Sequence, residues 1–539
     1  GSGFSGTTSF SYTVGFKQDK DAGSSTQAGD EFGSTVAISG DLAIVGAHAE
    51  DNSNGTDAGA AYLFKRTGDR EWTQIKKFTA GDGVAKDRFG YSVDIDGSTI
   101  VIGARMADVN GTNDGAAYVY RKNEGGTDNW GFVQKLVGSA NSSKDQFGHS
   151  VAISDETIAV GARLDDGSGT NSGSVYIFEK NLGGTNNWGE RKRLKSSDAA
   201  GGDQFGFAVA IDGNNLLVGA RKDDDKGTDS GSAYFYNRDD GGADNWGRFK
   251  KVSASDGTKF DWFGSAVDLD GNYAVVGKPI RHNRTRAGMA YTYAKSGTNW
   301  TIQESFEAAE PSDDDQFGYA VAIDGNTVVV GSRESDIARS NAGGFQVHSR
   351  NTGGTNKWGL DYQIFKDDAS GGDYFGASVG VSGDWVIAGA PLDDDDGSKS
   401  GTVSFQDIGT TNNGNVTIAV SSSGSGSNGN QGDDSADGND GSSGSSSGSG
   451  GSSNLLDEDA GKSDKPTITP IRFSRTRTEI STGTSSECCC DQCLSVGAHQ
   501  ADKSTERPAV DLNAGMMSSE LQFQQLDTLF GRLFKRRSR

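Results

Sequence analysis

The sequence predicts an all-β fold: a seven-bladed β-propeller of four-stranded antiparallel blades, followed by a disordered tail with a short C-terminal amphipathic helix. Three observations predict the propeller. A Phe-Gly pair returns seven times at steps of 54 to 58 residues, at Phe32, Phe89, Phe147, Phe205, Phe263, Phe317 and Phe375. An Asp stands two places before each Phe (Asp30, Asp87, Asp145, Asp203, Asp261, Asp315 and Asp373), and a Gly follows each Phe by fourteen residues. Six units also carry a Trp seventeen residues before the next Phe-Gly, from Trp72 to Trp358. Self-similarity at a period near fifty residues marks a stacked or radial array.

Each unit holds four strand-length segments. In the third unit they are Ser150–Ser154, Ile158–Ala162, Ser174–Glu179 and Glu190–Leu194. Apolar and β-branched runs bounded by Gly, Asn and Asp are a strand signature. The first two strands meet at turns such as Asp212-Gly213-Asn214, whose residues tolerate the positive φ of a tight hairpin. No run with a 3.6-residue period lies inside the array. A single blade cannot bury both faces, so the ring forms as a set. Each Phe of a Phe-Gly is expected between blades, and each Trp on an outer strand against the blade's flank. Two segments compete to complete blade seven: Ser11–Lys17 from the N-terminus, which we favour, and Val416–Val420.

The propeller is assigned to residues 1–420. Residues 421–453, almost wholly Ser, Gly, Asn and Asp, read as a flexible linker. Residues 454–515 read as a largely disordered tail bearing Cys488, Cys489, Cys490 and Cys493. That cluster lacks paired Cys-x-x-Cys units, which argues against zinc. Cross-linking between chains and lipidation remain open beside an unstructured role. Residues 516–539 place Leu526, Leu529, Phe530, Leu533 and Phe534 on one helical face and end in a basic run. This helix is the chain's only expected means of membrane contact.

The pattern Asp-x-Phe-Gly, then "SVAI", then "VVVGAR" or "VIAGAP", resembles the FG-GAP repeat and the propeller head of integrin α subunits. The resemblance covers roughly residues 11–420 and implies an extracellular or cell-surface binding module for adhesion or matrix contact. Integrin-type repeats often hold calcium between their first two strands. Here that connection has shrunk to turns such as "SGD" and "DGN", too short to supply six to eight oxygens. Acidity reappears between the second and third strands. Calcium is therefore a candidate cofactor at Asp165 and Asp166, at Asp223, Asp224 and Asp225, and at Asp393, Asp394, Asp395 and Asp396, against a plain solvated-loop reading. The Asp before each Phe-Gly is expected to accept backbone N–H groups in its turn, with Arg105, Arg163, Arg221 and Arg333 as pairing partners.

The chain carries a net charge of −23; its last 86 residues are neutral and the linker holds four Asp, which leaves a head near −19. Such a head repels nucleic acid and favours a protein or carbohydrate partner. No catalytic constellation emerges from the five His residues or the Gly motifs, so the protein is expected not to be an enzyme. A polysaccharide hydrolase and a self-assembling surface component cross-linked through the tail cysteines stand as alternatives.

Overall fold

A computed structural model describes residues 19–409 except 22, 24–25, 69, 281–286, 298 and 367. The described residues all belong to one compact unit, residues 1–423. The linker, the cysteine cluster, the C-terminal helix, Ser11–Lys17 and Val416–Val420 lie outside the described residues.

Seven four-stranded antiparallel sheets make up the unit, and no helix occurs among the described residues. Blade three shows the plan: Phe147–Ser154, Thr157–Ala162, Ser174–Lys180 and Trp188–Leu194, paired in that order. The second strand is buried along its whole length, because neighbouring blades cover both its faces. The outer strand alternates with solvent. On all six outer strands that open with a Trp or lie just beside it, one residue is skipped in the pairing register, such as Arg191 in blade three and Gln303 in blade five. These bulges twist the exposed edges away from flat pairing with another chain.

Blade seven is made from both ends of the chain. Its strands Ser378–Ser382, Trp385–Ala390 and Thr402–Asp407 are completed by Asp19–Asp21, with Lys20 opposite Ser404. Closure thus comes from the N-terminal side, just beyond Ser11–Lys17.

The core lies between blades. Phe32, Tyr62 and Trp72 of blade one share a cluster with Trp385, Ile387 and Phe405 of blade seven. Trp72 stacks on Phe405 at 4.4 Å and Trp300 on Phe235 at 4.5 Å, each crossing to the preceding blade. Every Phe of the seven pairs is at most 1% exposed, and burying a Phe contributes about 1.5–3 kcal/mol. Close approach of two backbones explains one glycine class. A Cβ on Gly219 would fall 1.9 Å from the carbonyl oxygen of Gly264 in the next blade. The other six glycines at this position meet the same obstacle.

Two rings of hydrogen bonds stitch the blades. Each Phe-Gly amide of the Phe donates to a carbonyl in the preceding blade's loop, from Phe32 N–H to Ser400 O through Phe375 N–H to Ala342 O. At the far end of the first strands, Ser39, Asp96, Ser154, Asp212, Asp270, Asp324 and Ser382 each accept a turn N–H from the next blade. The last of these, Gly40 N–H to Ser382 Oγ at 3.0 Å, closes the circle.

Candidate functional site

The Asp-x-Phe-Gly turn is built from three local preferences. The Asp carboxylate accepts the backbone N–H three residues earlier, as in Ala200 to Asp203 at 2.6 Å and Ser312 to Asp315 at 2.6 Å. Asp30, Asp87, Asp145, Asp261 and Asp373 make the same bond. The residue between Asp and Phe is left-handed in all seven turns, with φ from 53° to 61°. The Gly follows at φ 79–87°. Burial pushes Asp145, Asp203 and Asp315 up to about 6 despite those amides.

This geometry turns three side chains per blade toward the axis: the residue after Asp, the residue after Phe-Gly, and the residue after the second strand. All seven residues after Phe-Gly, six of the seven after the second strand, and Glu31, Trp262 and Tyr374 line a cavity of about 620 Å³ at the mouth of the central channel. Its wall includes His48, Tyr91, Arg105, His149, Phe207, Arg221, Trp262, Ser265, Tyr319, Arg333 and Tyr374. The ring centroids of His48, Tyr91, His149 and Phe207 follow one another at 5.2, 5.1 and 4.8 Å, an arc across blades one to four. Arg105 lies 3.9 Å over Tyr91, Arg221 3.9 Å over Phe207 and Arg333 3.9 Å over Tyr319. Arg221 also faces Trp262 at 5.0 Å, and Arg333 faces Tyr374 at 5.4 Å.

The arginines therefore do not pair with the turn aspartates, as the sequence suggested. Those carboxylates are engaged by backbone amides, and the guanidiniums turn inward onto rings. Gln146 Oε1 accepts from Arg163 Nε at 2.8 Å, and Gln204 Oε1 from Arg221 Nε at 2.9 Å. Burial, with Arg105 and Arg221 nearby, pulls Arg163 down to about 10. Burial holds His48 down to about 3 and His149 well below its ordinary value, so both imidazoles are neutral.

The acidic loops lie on the same face but are internally engaged. Asp165 accepts from the Tyr176 hydroxyl at 2.7 Å and is bonded by Arg193. Asp223 takes Tyr234 at 2.6 Å, Ser232 and Lys251, while Asp225 pairs with Lys251 at 2.7 Å. Asp393 takes Thr402 and Lys366, with Asp395 3.7 Å from that lysine. Asp166 and Asp224 each accept a loop amide at 2.7 Å. Asp394 and Asp396 stand exposed. Thus a lysine or arginine occupies the place beside each buried loop carboxylate, and among the described residues no three His, Cys, Asp or Glu converge.

Seven stretches match the family model of the FG-GAP repeat: residues 20–64, 72–120, 130–178, 188–236, 246–293, 300–348 and 358–404. The chain is an FG-GAP repeat protein. No curated protein matches it. Each FG-GAP match runs from the outer strand of one blade through the third strand of the next. The first match begins within the strand Asp19–Asp21 of blade seven. The FG-GAP unit and the blade are thus offset by one strand, and the clasp follows from that offset.

Below the mouth, the channel of this FG-GAP head is lined by a Val from every blade, Val36, Val93, Val151, Val209, Val267, Val321 and Val379. The next level is Ala or Gly except for Asp94 and Asp268. Each of these carboxylates accepts its own next amide and one from the following blade, Ile153 N–H at 2.7 Å and Ile323 N–H at 2.8 Å. Burial raises Asp94 to about 6 and Asp268 to about 7, the charge of Asp94 adding to the second. Sequence reasoning missed both. Their signal was a polar residue in a register position that is otherwise small and apolar.

Proposed function

We propose that this FG-GAP propeller is a non-enzymatic binding module of the extracellular space or cell surface, serving adhesion or matrix contact, with its ligand seated in the mouth on the Phe-Gly face. The observation that carries the reading is the mouth itself. Concave sites of about 300–1,000 Å³ with aromatic walls and a few polar groups are where proteins take ligands. The resemblance to integrin α heads supports the cell-surface setting. The reading needs no resident metal, because internal cations already engage Asp165, Asp223 and Asp393.

The test is a panel of matrix proteins and polysaccharides captured on the immobilised full chain, with and without EDTA. Ala377 lines the mouth and is half-buried there, so Ala377→Trp fills it. A ligand should be retained in EDTA and lost in that variant, with the thermal midpoint unchanged. Release of shortened sugars from the panel would instead make the protein a hydrolase.

A further inference from the structure

The mouth is rich in donors and poor in acceptors. Arg105, Arg221 and Arg333 come from blades two, four and six, so they surround the axis from three sides. Among the described residues Arg105 and Arg221 have no carboxylate partner, and Arg333 meets the adjacent Glu334 at 3.0 Å. The one carboxylate on the wall among the described residues is Glu31, which lies 3.4 Å from His48. Several donors have nothing to donate to. Arg105 Nε, Arg333 Nε and Trp262 Nε1 lack hydrogen-bond partners, as do Ser265 Oγ and His149 Nδ1. His149 is only 6% exposed and lines the cavity.

Stacking fixes what the arginines can do. A guanidinium over a ring directs its N–H groups past the ring's edge, and those not taken by Gln204 or Glu334 match the oxygens of carboxylate, sulfate or phosphate. We propose that the mouth is a binding site for a compact ligand bearing two or more oxyanion groups, held by the edges of Arg105, Arg221 and Arg333. This rests on the mouth being the ligand site. Size and charge decide against a long polyanion. The cavity suits a small molecule, and the surrounding head is near −19, so an extended anionic chain lying across its acidic loops would be repelled.

Calorimetric titration of the full chain tests this with inorganic tripolyphosphate, sulfate and citrate, and with dextran sulfate as the polymer. Tripolyphosphate or citrate should bind saturably at one site per chain, and whichever wins identifies the group. The double variant Arg105→Gln/Arg221→Gln should weaken it about a hundredfold or more, each charge-assisted contact being worth roughly tenfold or above. Arg105→Lys/Arg221→Lys should lose much of the affinity while keeping the charge, and unfolding curves confirm that each variant folds. No saturable binding by any small anion, an unchanged affinity in the glutamine variant, or tighter binding of dextran sulfate than of every small anion would overturn the proposal. Failure here is separable from failure of the binding-module reading. A captured matrix ligand lost in Ala377→Trp but kept in the glutamine variant sinks only the oxyanion site. Saturable tripolyphosphate binding with an empty panel sinks only the adhesion reading.

Discussion

Single residues in this protein are constrained mostly by the next blade. Gly219 has nowhere to put a methyl group, whereas Gly213 needs left-handed backbone (φ 51°) but has open space around its Cβ. Gly219→Ala should therefore cost more than about 2 kcal/mol through overpacking. Gly213→Ala should cost about 1 kcal/mol through backbone strain alone. Chemical denaturation that ranks them the other way would refute the close approach. Asp94 and Asp268 have folded values near 6 and 7, above the ordinary 3.8. Their protonated forms are the ones the fold favours, so their contribution is full below about pH 4 and is lost as pH rises through 7. The head should lose stability between about pH 4 and 7, on the order of 3 kcal/mol per residue. Asp94→Ala/Asp268→Ala, which copies blades one, three, four and six, should flatten that dependence in thermal melts. The anchors Asp30 to Asp373 and Phe32 to Phe375 were legible because one repeat contains both the residue and its turn. The roles of Arg105, Arg221 and Arg333 were not. Their nearest rings, Tyr91, Phe207 and Tyr319, stand in the same blade on a residue that varies between repeats, and their second rings, such as Trp262 under the arginine of the previous blade, come from the neighbouring blade.

At the scale of elements, the decisive piece is three residues long. Asp19–Asp21 covers the open edge of Thr402–Asp407 and so completes blade seven. Removing residues 1–21 should lower the thermal midpoint and leave an edge able to pair with a second chain. Sedimentation should then show concentration-dependent association, while an unaltered midpoint and a monomer would show that the clasp contributes nothing. The periodicity read from sequence located the two inner strands of the third unit, Ser150–Ser154 within Phe147–Ser154 and Ile158–Ala162 within Thr157–Ala162, because two apolar runs flank the tight turn. It placed outer strands less well. There the register slips by one residue, and Trp188 rather than Glu190 begins the strand in blade three. It did not single out Asp19–Asp21, since a three-residue charged strand has no apolar pattern to read.

For the whole molecule, the sequence predicted one acidic body, and the fold divides the charge. The acidic loops of blades three, four and seven lie on the Phe-Gly face, while stacked arginines sit at its centre. Neither the total of −23 nor the order of residues along the chain shows a cationic centre inside an acidic rim. Such a field guides a small anion to the axis only once it is past the rim, so binding at the mouth should gain on-rate with added salt before losing affinity. Stopped-flow association that slows monotonically with salt would contradict this arrangement.

The clasp also has a consequence in time. Its two halves are made far apart in time: Thr402–Asp407 is synthesised about 380 residues after Asp19–Asp21, roughly 20 to 80 s at ordinary elongation rates. Throughout that interval the blades already made form an open arc, because the strand that closes it does not yet exist.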